Sequence, residues 1–146
     1  MTTIAATGKI IAADSLVVAD SGCFQSPKLL RTDRGIIGAA GYVDIISKVF
    51  DWFDGKAKKP KIPARRYGDF VALILTESGL LYMESDLAPI PVLEGIYAIG
   101  SGSQFALGAM ERDLELGIDP DPVAAVRVAS RRDSMTSGEV SFLSWS

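Results

Sequence analysis

The stretch Met1-Thr2-Thr3-Ile4-Ala5-Ala6-Thr7-Gly8-Lys9-Ile10-Ile11-Ala12-Ala13-Asp14 decides the fold. Thr2 to Ala6 is short, apolar and β-prone, Thr7-Gly8 reads as a tight turn, and Lys9 to Asp14 returns as a second strand. The chain therefore opens on a β-hairpin. The same stretch carries a chemical possibility. If Met1 is removed, Thr2 holds a hydroxyl and a free α-amine on one residue. A Thr hydroxyl is a weak nucleophile that needs a neighbouring base, and this chain contains no histidine to supply one. An α-amine titrates near ~7.7–8, so part of it is neutral around pH 7. Taken alone, the opening residues say only that a strand follows the initiator.

Moving outward, Val17 to Ala19 continues in extended form, and Ser21-Gly22 and Ser26-Pro27 mark a loop. Lys28 to Thr32 and Ile36 to Ala40 read as strands, the second ending at Gly41. The period then changes. Tyr42, Ile46, Val49 and Phe53 form the apolar stripe of a helix, with Asp54-Gly55 as its stop. Gly55 to Arg66 gathers Lys56, Lys58, Lys59, Lys61, Arg65 and Arg66 around Pro60 and Pro63. It reads as an exposed loop, either a solvated connection or a docking surface for an acidic partner. Phe70 to Glu77 is a continuous apolar run, as in a strand covered on both faces, and Ser78-Gly79 turns it into Leu80 to Glu84. Gly95 to Ile99 is a further strand. A helix follows with Ala106, Met110 and Leu114 on one face. Asp121 is the N-cap and Pro122 the first residue of a last helix, and Glu139 to Leu143 closes the chain as a strand.

The 146 residues make one domain, 1–146. Strands arrive in hairpins and not in strand-helix-strand units, which predicts an α+β fold with antiparallel sheets. Apolar strands covered on both faces suggest two stacked sheets with helices outside. A hydrophobic share of 48% fills such a core. No apolar run reaches the ~20 residues of a membrane span, and no basic region with a long apolar stretch marks a secretory signal. The single cysteine, Cys23, forms no internal disulfide, and with no histidine a Cys/His zinc site is excluded. These features predict a cytoplasmic protein without metal or cofactor. A net charge of −3 argues against nucleic acid as the main partner.

Several short stretches stand in a distinctive order: Thr2-Thr3-Ile4, Ala12-Ala13-Asp14-Ser15, Lys28-Leu29-Leu30-Arg31, Gly38-Ala39-Ala40-Gly41, Ala98-Ile99-Gly100-Ser101-Gly102 and Arg132-Asp133-Ser134-Met135-Thr136-Ser137-Gly138. Together they resemble the proteasome β-subunit family and its bacterial HslV-type relatives, over nearly the whole chain. The resemblance implies a four-layer αββα sandwich and a threonine-type, N-terminal-nucleophile peptidase. It places Thr2 as the nucleophile that forms an acyl-enzyme, and Lys28 as a buried ammonium beside it. Asp14 becomes the countercharge of Lys28, and Gly41 the backbone donor to the oxyanion. Ser101, Asp133 and Thr136 take the positions that orient the terminal amine. Ala39 and Val43 fall at the substrate pocket, and their small apolar side chains suggest an apolar specificity. The partners implied are further copies of the chain in a double ring of twelve or fourteen subunits, an unfolded polypeptide substrate and an AAA+ ATPase unfoldase.

The chain departs from the family in places. The usual Asp-x-x-Ser-Gly becomes Asp133-Ser134-Met135-Thr136-Ser137-Gly138. Thr136 keeps the spacing and a hydroxyl, whereas Ser137 keeps the adjacency to glycine. The first hairpin is short, and the Lys/Pro-rich loop occupies most of the place of a second long helix. That leaves the ATPase or cap partner open. No propeptide is expected before Thr2, so only Met1 has to be removed. Two other functions compete. A non-catalytic ring subunit would not need Thr2, Lys28 and Asp14 in combination. An N-terminal-nucleophile amidase acting on a small amide would be a monomer or dimer.

Overall fold

A computed structural model of the protein describes residues 2–145. The elements run β1 (Thr3–Thr7), β2 (Ile10–Ala13), β3 (Leu16–Ala19), β4 (Gly22–Gln25), β5 (Leu29–Thr32), β6 (Gly35–Gly41), α1 (Val43–Phe53), β7 (Phe70–Thr76), β8 (Gly79–Glu84), β9 (Ile90–Pro91), β10 (Ile96–Gly100), α2 (Ser103–Glu115), α3 (Pro122–Arg132) and β11 (Ser141–Ser144). A 3-10 helix, Ala64–Asp69, precedes β7. One antiparallel sheet has the order β10-β1-β2-β11 and the other β5-β6-β7-β8-β9, and β3-β4 form a separate hairpin. The αββα layering follows from side-chain alternation along the strands. Ile4 and Ala6 of β1 face the second sheet, where they meet Ile36, Leu73 and Leu75. Ala5 and Ala12 turn outward beneath α2 and α3, against Ala106, Ala125 and Ala129. These contacts are made by alanines, which let the helices lie close to the sheet. On the far side, Ala72 and Ile74 of β7 pack under Ile45, Val49 and Phe53 of α1. The strand β7 therefore feeds two cores at once, which is why it reads as unbroken apolar sequence. Each fully buried Ile or Leu in these layers contributes about 1.5–3 kcal/mol of transfer free energy.

Local chemistry sets the ends. Thr7 Oγ1 accepts from the N–H groups of Lys9 and Ile10, at 3.1 and 3.2 Å, and closes the first turn. Asp121 Oδ1 accepts from Val123 N and Ala124 N, at 2.9 and 3.2 Å, and Pro122 follows as expected. Three expectations need correction. Gly22–Gln25, read as loop, is strand β4; its residues are all exposed, so no alternation betrays it. In α1 the inward residue at the start is Ile45, while Tyr42 is the N-cap and is exposed. In α2 Leu114 is exposed and the buried residues are Ala106 and Met110. The Lys/Pro-rich segment contributes Ile62 to the core beneath α1.

Candidate active site

Antiparallel pairing delivers the ends of several strands to one place. Ile4 lies opposite Ala13, so Thr3 at the start of β1 comes beside Asp14 just past β2. Thr3 also lies opposite Gly100, the last residue of β10. From the second sheet, Lys28 stands immediately before β5, and Gly41 ends β6. The sequence positions 2, 14, 28, 41 and 100 thus converge because each is a strand terminus at the same end of the sandwich.

At the centre, Lys28 Nζ donates to Thr2 Oγ1 at 2.9 Å and to Asp14 Oδ1 at 2.8 Å. All three residues are buried, with Asp14 only 1% exposed. Asp14 is held from both sides: Oδ1 also accepts from Thr3 N at 3.0 Å, and Oδ2 accepts from Ser137 N at 3.1 Å. Burial pushes the Lys28 ammonium below its ordinary value, and the hydrogen bond and charge of Asp14 offset this in part. A compact cation of this kind, with its three donors, can stabilise an alkoxide on Thr2 and disfavour a second positive charge nearby.

A second network adjoins the first. Asp133 Oδ2 accepts from Ser101 Oγ and Thr136 Oγ1, both at 2.6 Å, and Oδ1 accepts from Met135 N at 3.2 Å. Burial pushes the Asp133 carboxyl up, but these donors together outweigh it and hold the carboxyl below its ordinary value. The proton count settles directions. Thr136 spends its one proton on the carboxylate, so at 2.6 Å it accepts from Thr3 Oγ1. Ser101 likewise gives its proton to Asp133 at 2.6 Å, in preference to the Thr2 carbonyl at 3.4 Å. Of the two hydroxyls left open by the sequence, Thr136 is the one in this network; Ser137 supplies its backbone N–H to Asp14 instead.

Gly41, Ala39 and Val43 line a cleft of about 640 Å3 together with Thr2 and Lys28. Phe24, Ile46 and Phe50 extend its apolar wall, and Asp20 and Asp44 also border it. A second cleft of about 450 Å3, between β8, β9, β10 and α2, contains none of the predicted site residues. Gly41 has a φ of +133°, and a side chain there would drive into the Asp69 carbonyl. Sequence reasoning missed Gly100 and Gly102 as positioning residues. Gly100, at φ +97°, admits the Thr2 carbonyl where a Cβ would stand, and Gly102 leaves room for Thr3 Oγ1. The Gly-Ser-Gly spacing was the available signal. Thr3 was missed too; its hydroxyl joins the network by its hydrogen bond to Thr136. Among the described residues no group of His, Cys, Asp or Glu is placed to hold a metal ion, and no helix is long and apolar enough to cross a membrane. Met1, whose removal the sequence reading requires, lies outside the described residues.

No family model and no curated protein matches the chain in sequence. Solved structures do match in fold. Thiobacillus denitrificans BPH in complex with epoxomicin superposes with a TM-score of 0.78 at 18% identity, covering 98% of this chain and 97% of that one. HslV from Trypanosoma brucei gives 0.71 at 22% identity, covering 97% and 98%. A Gly-1 mutant of Anbu from Hyphomicrobium sp. strain MC1 gives 0.68 at 12% identity, covering 99% and 81%. The layers, the strand order and these superpositions agree: the chain has the αββα fold of N-terminal-nucleophile hydrolases.

Proposed function

We propose that the protein is a threonine-type endopeptidase whose nucleophile is Thr2 after removal of Met1. The observation that carries this reading is Lys28 Nζ held between Thr2 Oγ1 and Asp14 Oδ1 at the floor of an open cleft. Thr2 Oγ attacks the scissile carbonyl carbon while its proton passes to the freed α-amine, directly or through a water. The Gly41 N–H receives the oxyanion; a preorganised donor of this kind is worth about 2.7–4 kcal/mol. Collapse breaks the C–N bond, and the departing amine takes the proton from the α-ammonium. Water then attacks the ester, gives its proton to the amine, and Thr2 is regenerated. Lys28 stabilises the forming alkoxide and keeps the amine's proton affinity low; Asp14 keeps Lys28 charged. Ser101, held by Asp133 beside Thr136, offers lone pairs to the amine's N–H groups. Ala39 and Val43 receive an apolar side chain of the substrate.

The reading extends to assembly. Copies of the chain form a double ring of twelve or fourteen subunits that admits unfolded polypeptide, with an AAA+ unfoldase as the partner class and the cytoplasm as the compartment. Its support is the fold shared with HslV over 97% of the chain. Two measurements test the proposal. Thr2→Ala should abolish hydrolysis of peptide amides with the circular dichroism spectrum unchanged; wild-type turnover in that variant refutes the mechanism. Sedimentation should give a ring, whereas a monomer or dimer points to a small-amide hydrolase.

A further inference from the structure

Arg66 belongs to the Lys/Pro-rich segment, yet it is not a free surface cation. Its Nη1 and Nη2 donate to the two oxygens of Asp44 at 2.8 and 3.3 Å, and its Nε donates to Asp69 Oδ2 at 3.0 Å. The guanidinium carbon lies 4.9 Å from the centroid of the Tyr42 ring. The group therefore clamps three points: the first turn of α1 through Asp44, the N-cap of α1 through Tyr42, and the residue before β7 through Asp69. Between those points runs Gly41. Tyr42 N donates to the Asp69 carbonyl at 3.1 Å, and that same carbonyl abuts Gly41. Tyr42 has no side-chain cap of its own to fix the start of α1. A planar fork matches two carboxylates and a ring face at once; a lysine cannot.

We infer that Arg66 is a positioning residue for oxyanion stabilisation: by tying Asp44, Tyr42 and Asp69 together it fixes the direction of the Gly41 N–H. This rests on the proposed function, since it needs a covalent adduct at Thr2. No substrate atom touches Arg66; it acts through the backbone of Gly41 and Tyr42.

A matched pair of inhibitors separates positioning from general damage. In a peptide aldehyde, Thr2 Oγ adds to the carbonyl carbon, the hydroxyl proton moves to the α-amine, and the former carbonyl oxygen needs the Gly41 donor. The corresponding peptide alcohol fills the same cleft without forming that bond. Arg66→Met should weaken aldehyde binding by about tenfold or more while alcohol binding stays within about twofold. In peptide hydrolysis kcat should fall by a similar factor with KM nearly constant. Arg66→Lys should behave like Arg66→Met, and it carries the test if Arg66→Met does not fold. Arg65→Met, an exposed neighbour with the same charge change, should match the parent protein. Parallel losses for aldehyde and alcohol, or no loss for either, overturn the inference while leaving the nucleophile intact. Failure of the parent protein to form any aldehyde adduct overturns the proposed function, and this inference with it.

Discussion

Replacing Asp14 by asparagine probes the buried pair most sharply. The carboxylate is surrounded by donors only: Lys28 Nζ and Thr3 N at Oδ1, and Ser137 N at Oδ2. An amide offers one acceptor and one NH2 group. Whichever way it turns, its NH2 faces a donor, and the buried Lys28 ammonium loses its countercharge. Breaking a buried ion pair from one side costs about 3–5 kcal/mol, a large share of a typical domain's ~5–15 kcal/mol. Asp14→Asn should therefore lower the denaturation midpoint by the equivalent of at least ~3 kcal/mol in urea titrations. The double variant Asp14→Asn/Lys28→Met should recover about 2 kcal/mol of that, because the unpaired charge is gone. It should recover no peptidase activity. A single variant that loses under about 1 kcal/mol, or a double variant less stable than the single, would refute the argument that Lys28 is held as a cation by Asp14.

Lys28→Ala should reduce peptide hydrolysis by at least ~10²-fold, and Lys28→Arg should be nearly as poor because the broad guanidinium cannot stand between Thr2 and Asp14; rates within about threefold of the parent in initial-velocity assays would remove Lys28 from the chemistry. The pH dependence of kcat/KM should be bell-shaped. The α-amine must be neutral to act as base, so activity rises with pH through its titration, at or below the ordinary ~7.7–8 because Lys28 is a like charge. Lys28 must stay charged, so activity falls again on an alkaline limb that lies below its ordinary 10.5, where burial has moved it. In the residual activity of Lys28→Met that alkaline limb should vanish; its persistence at the same pH contradicts the assignment.

What the sequence made legible is what strand termini determine. A hairpin closed at Thr7-Gly8 must bring residue 14 back beside residues 2 and 3, so the meeting of Thr3 and Asp14 follows from the turn alone. The apolar run 70–77 announced a strand between two cores, and the Asp121-Pro122 pair announced a capped helix. Other features depend on contacts that no local pattern encodes. Strand β4 is exposed along its length and shows no alternation. Tyr42 looked like the first inward residue of α1 because it is aromatic, but its ring lies under Arg66 at the surface. Arg66 was hidden among lysines that share its charge and none of its geometry. Gly100 and Gly102 matter because Thr2 and Thr3 approach them from a distant part of the chain, and only the folded packing shows how closely.

The central claim is that one residue supplies both the attacking oxygen and the proton-carrying nitrogen. An epoxyketone such as epoxomicin tests it directly, since the Thr2 hydroxyl can add to its ketone while the freed α-amine opens its epoxide, with no atom lost. Intact-mass measurement of the purified protein before and after treatment should show a chain lacking Met1 that gains the whole inhibitor mass once. The label should map to Thr2. A chain that has lost Met1 yet takes up no label, or one that is labelled elsewhere, would contradict the account.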